Sequence, residues 1–556
     1  MSATETYRVW CENVQDAELQ KQLAAMKDNP QAIENAFYKD LEFGTGGLRG
    51  ELGAGTNCLN VLTIGKVTQG IADRMKAHGQ KKVAVSCDSR IHSDLFKETV
   101  ACVMAANGIH AVITRELMPT PFLSFLTRET SADFGIMITA SHNPAKYNGY
   151  KVYDSDGCQL TDEPAKDLTG HIEKVDPFSV HADSLSVYLQ SGTVEYATDE
   201  ITEKYLACVE AQSIGSADGL KVAYSPLNGT GYKLVPEILK RAGVAKIDVV
   251  EEQAYPDGNF PTCAYPNPEK PDALKLGIAL AEKCGSDILI ATDPDADRVG
   301  TAVRHNGEYR LLTGNEVGVL LTDYILSRRK EFGTLPKNPV IVTTIVSTSL
   351  AEKVAAKYGV TFYNVLTGFK YIGGVIGKLE KAGETDRFVL GFEESYGYLT
   401  GSYVRDKDAV VGSMLVAEMT AYHLRHGKTL VDRIEEIYAE FGTYEHRLKS
   451  YEYAGAEGNA KMKNLLTDLR KNLPIELGGS RVVKTVDYLT QTEADLPKAN
   501  VLLFEAENGS KLVVRPSAQN RSLKFMLQQH RRRRKTCGFC KAFSITRTEC
   551  SVNAAC

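Results

Sequence analysis

A short apolar, β-branched run that stops abruptly in a polar loop recurs along this chain. KKVAVSCDSR does so at residues 81–90, FGIMITASHNP at 134–144, SDILIATDPDADR at 286–298, RFVLGFEESYG at 387–397 and KLVVRPS at 511–517. Apolar runs of this length bounded by turn formers read as buried strands. Between them, DALKLGIALAEKCG (272–285) and STSLAEKVAAKYG (347–359) read as helices, as does DAELQKQLAAM (16–26) near the start. Alternating strand and helix predicts α/β domains with largely parallel sheets. In such sheets ligands gather beyond the carboxyl ends of the strands, where these polar loops fall, so several domains would build one site. The 556 residues exceed what one core usually covers. Helix-like stretches and turns place joints near 205, 310 and 427, giving domains 1–205, 206–310, 311–427 and 428–556.

Composition adds mainly exclusions. At 43% hydrophobic and 24% charged, the chain is ordinary for a globular protein. A net charge of −5 gives no global attraction to nucleic acid or an anionic membrane. No apolar run is long enough to span a bilayer. MSATETYRVWCENVQDAELQ lacks the basic-then-apolar order of a secretion signal. Twelve scattered cysteines then read as reduced thiols of a cytoplasmic protein.

The loops carry the candidate chemistry. In TASHNPAKYNGYK (139–151), Ser141 follows a strand on a turn-rich segment, where its oxygen could attack or hold phosphate. His142 and Lys151 could supply a proton shuttle and a positive charge. In DPDADR (293–298), Asp293, Asp295 and Asp297 repel one another unless a cation neutralises them, and oxygen-only ligands suit Mg²⁺. A calcium-type loop or a solvated acidic turn is the alternative, although an EF-hand's Gly and distal Glu are missing at the required spacing. Arg298 is placed to clamp phosphate or hold the loop. In GFEESYGY (391–398), Glu393 and Ser395 could share hydrogen bonds with vicinal hydroxyls, or simply cap a helix. TGFKYIG (367–373), with Thr367, Gly368 and Lys370, and RDKDAV (405–410), with Arg405 and Lys407, offer basic side chains or solvated charge. FGTGGLRGELGAG (43–55) is glycine-rich but lacks a P-loop ending and a dinucleotide fingerprint.

Taken whole, TASHNPAKYNGYK, DPDADR and GFEESYGY resemble, in the correct order, the motifs of the α-D-phosphohexomutase superfamily, which includes phosphoglucomutases and phosphomannomutases. FYKDLEFGTGGLRGELGAG resembles its opening motif and favours the phosphoglucomutase and phosphopentomutase branch. The resemblance covers about residues 35–517. It implies three related mixed or parallel α/β domains and a distinct C-terminal α+β domain around a central cleft. It also implies a phosphoserine at Ser141 that ligates Mg²⁺ beside the three aspartates, and a sugar 1,6-bisphosphate intermediate, glucose 1,6-bisphosphate for glucose. Arg49, His142 and Lys151 would serve transfer. Thr367, Gly368, Lys370, Glu393, Ser395, Arg405, Lys407 and Arg298 would bind the sugar phosphate. Interconversion of glucose 1-phosphate and glucose 6-phosphate is the expected reaction. The alternatives are the ribose phosphates, or an impaired sugar-phosphate binder. The expected partners are small sugar phosphates, with no nucleic acid or membrane, and the chain would act as a monomer or weak dimer.

One motif breaks. The family's distal phosphate loop commonly reads Arg-Pro-Ser-Gly-Thr-Glu-Pro-Lys. Here Arg515, Pro516 and Ser517 are followed by Ala518-Gln519-Asn520-Arg521-Ser522. Deleting one G from codons for Gly-Thr-Glu-Pro-Lys yields triplets that admit those five residues in order, which points to a frameshift at codon 518. The segment 518–556 carries nine Lys and Arg against one acidic residue, a net +8 that leaves −13 for the rest of a −5 chain. It also holds Cys537, Cys540, Cys550 and Cys556. RRRRK (531–535) and CGFC (537–540) could otherwise suggest a nucleic-acid binder or zinc knuckle, but CGFC has no second ligand pair. A poorly packed tail after Ser517 is therefore expected, with Arg515 and Ser517 keeping partial function.

Overall fold

The computed structural model describes residues 1–44, 47–453, 455–490, 496–517 and 522–531. Four sheets follow one another along the chain. In the first, the order is Gly47–Glu51, Tyr147–Asp154, Phe134–Ile138, Lys82–Cys87, His110–Ile113 and Val194–Tyr196. Its last four strands pair in parallel, whereas Tyr147–Asp154 is antiparallel to both neighbours. The second sheet joins Ile288–Thr292, Lys221–Ser225 and Lys246–Val249 in parallel, with Val299–His305 and Glu308–Leu312 antiparallel at one side. The third has Thr361–Val365, Val340–Thr344 and Phe388–Glu393 parallel, closed by antiparallel Gly397–Leu399. The expected mixed α/β class thus takes one form three times. A fully buried parallel strand ends in a loop, and the chain returns antiparallel beside it.

Those three loops share a backbone strain. Each holds one non-glycine residue in the left-handed region: Ser141 (φ 52°), Ala296 (φ 45°) and Tyr396 (φ 67°). Such a conformation costs about 1–2 kcal/mol per residue and persists only where surrounding contacts impose it. The reversal from parallel strand to antiparallel return is that constraint.

The first three domains share one continuous apolar core, which includes Phe122, Tyr205, Tyr224, Val317 and Met414. Helix Ala409–Arg425, from the third domain, packs on helix Gly231–Arg241 of the second. The expected joint at 205 falls inside helix Asp199–Glu210. The helix expected over 16–26 forms as Ala17–Met26, capped by Asp16, which accepts from the Leu19 N–H. No helix among the described residues is long and apolar enough to cross a membrane. The cysteines among the described residues are all free thiols.

The fourth sheet is wholly antiparallel, in the order Thr443–Glu452, Ser522–Arg531, Lys511–Ser517, Leu502–Ala506, Ser480–Asp487 and Glu476–Leu477. Here the expectation of a poorly packed segment after Ser517 is corrected, because Ser522–Arg531 is an interior strand. Its sequence alternates. Leu523 packs against Met462, Leu466 and Val514 on one face, and Phe525 packs against the same cluster. Met526 lies on the other face against Val513 and Val486. Period-two alternation is what a strand requires, whatever the overall charge of the segment. Residues 518–521, most of RRRRK, and CGFC with Cys550 and Cys556 lie outside the described residues.

Because Ser522–Arg531 joins two other strands, a chain ending at Ser517 should leave two unpaired edges. Hydrogen exchange in 443–452 and 511–517 should rise sharply in that truncation and stay slow in one ending at Arg531.

Candidate active site

The Ser141 loop is held from beneath by a buried network. The Ser141 N–H donates to Thr139 Oγ1 at 2.8 Å, and Thr139 Oγ1 in turn donates to Asp88 Oδ2 at 2.5 Å. Asp88 also accepts from Ser93 Oγ at 2.9 Å and lies 3.4 Å from Arg90 Nε. The Arg90 guanidinium is buried and donates to four loop carbonyls, those of Ser141 (2.5 Å), Asn143, Pro144 (3.0 Å) and Tyr147 (2.9 Å). One planar fork with five donors suits four converging carbonyls. Gly149 completes the packing, since a Cβ there would meet the Thr139 carbonyl at 2.3 Å.

On this base the second domain presents its acidic loop. Ser141 Oγ donates to Asp293 Oδ2 at 3.0 Å and lies 3.2 Å from His142 Nδ1. Asp293, Asp295 and Asp297 are all buried, and one carboxylate oxygen from each lies within 4.8 Å of the others. Burial, then repulsion from Asp295 and Asp297, pushes the Asp293 carboxyl well above the usual range. Burial and the Asp295 charge raise Asp297 likewise. Asp295 goes the other way despite its burial, because Lys151 and Thr120 hold it ionised. Lys151 Nζ stands 2.8 Å from Asp295 and 3.7 Å from Asp297. Lys407 Nζ reaches Asp297 at 3.1 Å. Even so, Asp295 Oδ1 and Asp297 Oδ1 are buried with no hydrogen-bond partner. Orphaned acceptors on clustered carboxylates fit a hard cation with oxygen ligands.

Arg298 ties this loop to the third domain. Its guanidinium donates to Glu269 Oε1 at 2.9 Å and to the Ser395 carbonyl at 3.1 Å, and lies 3.7 Å from Asp293. Glu393 accepts from the Gly368 N–H at 3.0 Å. Burial raises its carboxyl to about 6, against the pull of Lys407. Thr367 Oγ1 is buried without a partner. Arg49 pairs in register with Gly149 and donates to Asn143 Oδ1 at 3.3 Å. Lys407 itself is positioned by neighbours anchored in the first domain. Tyr153 OH donates to Asp406 (2.8 Å), and Tyr205 OH donates to Asp408 (2.9 Å).

Ser141, His142, Lys151, Arg49, the three aspartates, Arg298 and Lys407 therefore meet in one place, with Glu393, Gly368 and the Ser395 carbonyl bordering it. Two of the expected sugar-phosphate contacts have their side chains engaged in ion pairs. Lys370 Nζ pairs with Asp162 at 3.1 Å. Arg405 is fully buried, bound to Glu380 at 2.8 Å and to the carbonyls of Ser402 and Val404. Lys370 thereby ties the third domain to the first, whereas Arg405 is bound within the third domain, and sequence spacing reveals neither acid.

Across the cleft, Arg515 and Lys524 sit directly opposite each other on adjacent antiparallel strands, hence on one face. Arg515 Nε is buried without a hydrogen-bond partner. Burial and the Arg515 charge pull the Lys524 ammonium down, with Glu269, Glu394 and Arg298 also within electrostatic reach. Like charges directly opposite are unfavourable unless an anion joins them. Neither Lys524 nor Arg90 is visible as functional from spacing alone.

The chain matches the phosphoglucomutase/phosphomannomutase α/β/α domains I, II and III over residues 40–178, 198–307 and 313–441. It belongs to the phosphoglucomutase/phosphomannomutase family. Within that family, the phosphoglucomutase of Staphylococcus epidermidis is 36% identical over 87% of this chain and 90% of its own length. That of Staphylococcus haemolyticus is 34% identical over 89% and 91%. Among solved structures, a putative phosphomannomutase from Thermus thermophilus shares the fold with TM-score 0.67, at 22% identity, over 89% of this chain and 96% of that one.

Replacing Arg90 by Met leaves the buried Asp88 carboxylate without its cation. Breaking such a pair costs about 3–5 kcal/mol, so the urea midpoint of the three domains that share the continuous core should fall markedly while the C-terminal sheet keeps its own.

Proposed function

We propose that this protein interconverts α-D-glucose 1-phosphate and glucose 6-phosphate through a phosphate carried on Ser141 Oγ. The observation that carries the reading is Ser141 itself, held in a strained turn with its hydroxyl 3.0 Å from Asp293 at the mouth of a buried acidic cluster. The family and the Staphylococcus phosphoglucomutase relatives supply the substrate class.

Transfer begins when the free hydroxyl of the bound sugar monophosphate attacks the phosphorus on Ser141. The new O–P bond forms as the Ser141 Oγ–P bond breaks, and the hydroxyl proton leaves to a nearby base. His142 Nδ1, 3.2 Å from Ser141 Oγ, is placed to exchange a proton with the serine oxygen. Lys151 and Arg49 offset charge on the transferring group, in keeping with a loose transition state that needs positioning and neutralisation. Asp293, Asp295 and Asp297, with the phosphate on Ser141, would hold Mg²⁺, whose bound form supplies Lewis-acid stabilisation of phosphoryl oxygens. The bisphosphate then presents its other phosphate to Ser141, and the reverse transfer regenerates the phosphoserine. Glu393 and Thr367 take sugar hydroxyls in both orientations. Arg515 and Lys524 hold the phosphate that is not reacting, a role that would offset the altered sequence after Ser517.

A coupled assay with glucose 1-phosphate, Mg²⁺ and a trace of glucose 1,6-bisphosphate tests this. Turnover should be abolished in Ser141→Ala and on chelation of the metal. Turnover on ribose 1-phosphate and none on glucose 1-phosphate would move the assignment to a pentose substrate. Lys524→Ala should raise the KM for glucose 1-phosphate about 10-fold, the size of one charged hydrogen bond, with kcat little changed. An unaltered KM would remove Lys524 from phosphate binding.

A further inference from the structure

Helix Gly314–Glu331 begins at the site and ends far from it. At its first residue, a Cβ on Gly314 would meet the Glu394 carbonyl at 2.2 Å. Its 18 residues carry the chain about 25 Å to the other end. There, three basic side chains crowd the last turn: Arg328, Arg329 and Lys330. Arg328 pairs with Glu331 and stacks on Phe332 and Tyr422, and Lys330 lies 5.5 Å over the Tyr358 ring. Arg329 is different. Its guanidinium is half-buried, yet among the described residues no carboxylate lies within 4.0 Å and it makes no hydrogen bond. Burial lowers its pKa and no acidic neighbour offsets that.

Arg329 lines a cavity of about 320 Å³, within the range of small-ligand sites. Three parts of the chain meet there. Gln212 comes from the second domain just after helix Asp199–Glu210, Thr334 and Thr385 come from the third, and Gly401 and Ser402 begin the loop that leads to Lys407. The lining adds the hydroxyls of Thr334, Thr385 and Ser402 and the Gln212 amide to apolar Pro336 and Phe388, with one carboxylate, Asp386, at the exposed rim. A helix C-terminus would ordinarily repel an anion. Here the last carbonyls are already used, since the Arg329 carbonyl accepts from the Thr334 and Leu335 N–H groups and that of Lys330 from Gly333. The charged groups lining the pocket are therefore the unpaired guanidinium and, at the exposed rim, Asp386.

We propose that this cavity is a second ligand site, separate from the catalytic cleft, that binds a small hydroxylated oxyanion such as a phosphate monoester. Arg329 takes the anionic oxygens, a bidentate role for which guanidinium is suited. Thr334, Thr385 and Ser402 supply hydroxyl contacts, and Asp386 at the rim accepts from a ligand hydroxyl. A bound molecule bridges residues 329–336 to residues 401–402.

Hydrogen exchange on the full chain, with and without glycerol 3-phosphate, tests the proposal. At ten times its dissociation constant, the ligand should slow exchange about 10-fold in peptides covering 329–336 and 398–403. Arg329→Gln should abolish that protection while leaving any protection of the catalytic loops around 141 and 293. Arg329→Lys should keep part of it, and Thr385→Glu, which adds a like charge to the wall, should remove it without touching Arg329. No protection of these peptides in the natural chain, or the same protection in Arg329→Gln and Thr385→Glu, would overturn the proposal.

Discussion

Three carboxylates buried within a single turn govern this molecule. Asp293, Asp295 and Asp297 cannot share so small a space in ionised form without positive charge, because each raises the free energy of the others. The chain meets that demand from separate domains: Lys151 from the first, Arg298 from the turn itself and Lys407 from the third. Neutralising the acidic turn and assembling the domains are thus one problem. Asp406 and Asp408, flanking Lys407, are bound by Tyr153 and Tyr205, so the lysine that serves the second domain is aimed by the first. The orphaned oxygens of Asp295 and Asp297 show that the cations present do not complete the balance.

The second constraint is geometric. In each of the first three domains a buried strand turns directly into an antiparallel neighbour, and each turn contains one non-glycine residue at positive φ. The first of these residues is Ser141. Its strain is tolerated because Arg90 gathers the loop carbonyls and the Asp88–Thr139 pair fixes the loop's entry. A rigid serine suits phosphoryl transfer, where alignment contributes more than chemical activation.

How much of this could be read in the sequence depended on whether a feature was contiguous. DPDADR and TASHNP are local strings, so their chemistry was legible at once, and the apolar runs before them announced the strands. The parallel-then-antiparallel arrangement was not, because a buried strand has the same composition in either pairing. Lys370 and Arg405 illustrate a second limit. A basic residue in a polar loop carries no mark of its partner, and their acids, Asp162 and Glu380, lie 208 and 25 residues away. Arg90 was hidden because its function consists of backbone carbonyls that folding brings together. In the C-terminal segment, high net charge and cysteine content mask the alternation of Leu523, Phe525 and Leu527, which is what makes residues 522–531 a strand. The two strand-end cations Arg515 and Lys524 face each other only once that strand is in place.

The claim on which all of this rests is that Ser141 carries the phosphate. The most direct measurement is mass spectrometry of the peptide containing Ser141 after the protein is incubated with glucose 1,6-bisphosphate and Mg²⁺, then chased with glucose 6-phosphate. The assignment predicts one phosphate on Ser141 that disappears during the chase as the bisphosphate forms. A phosphate found on another residue, or one on Ser141 that the chase leaves in place, would contradict it.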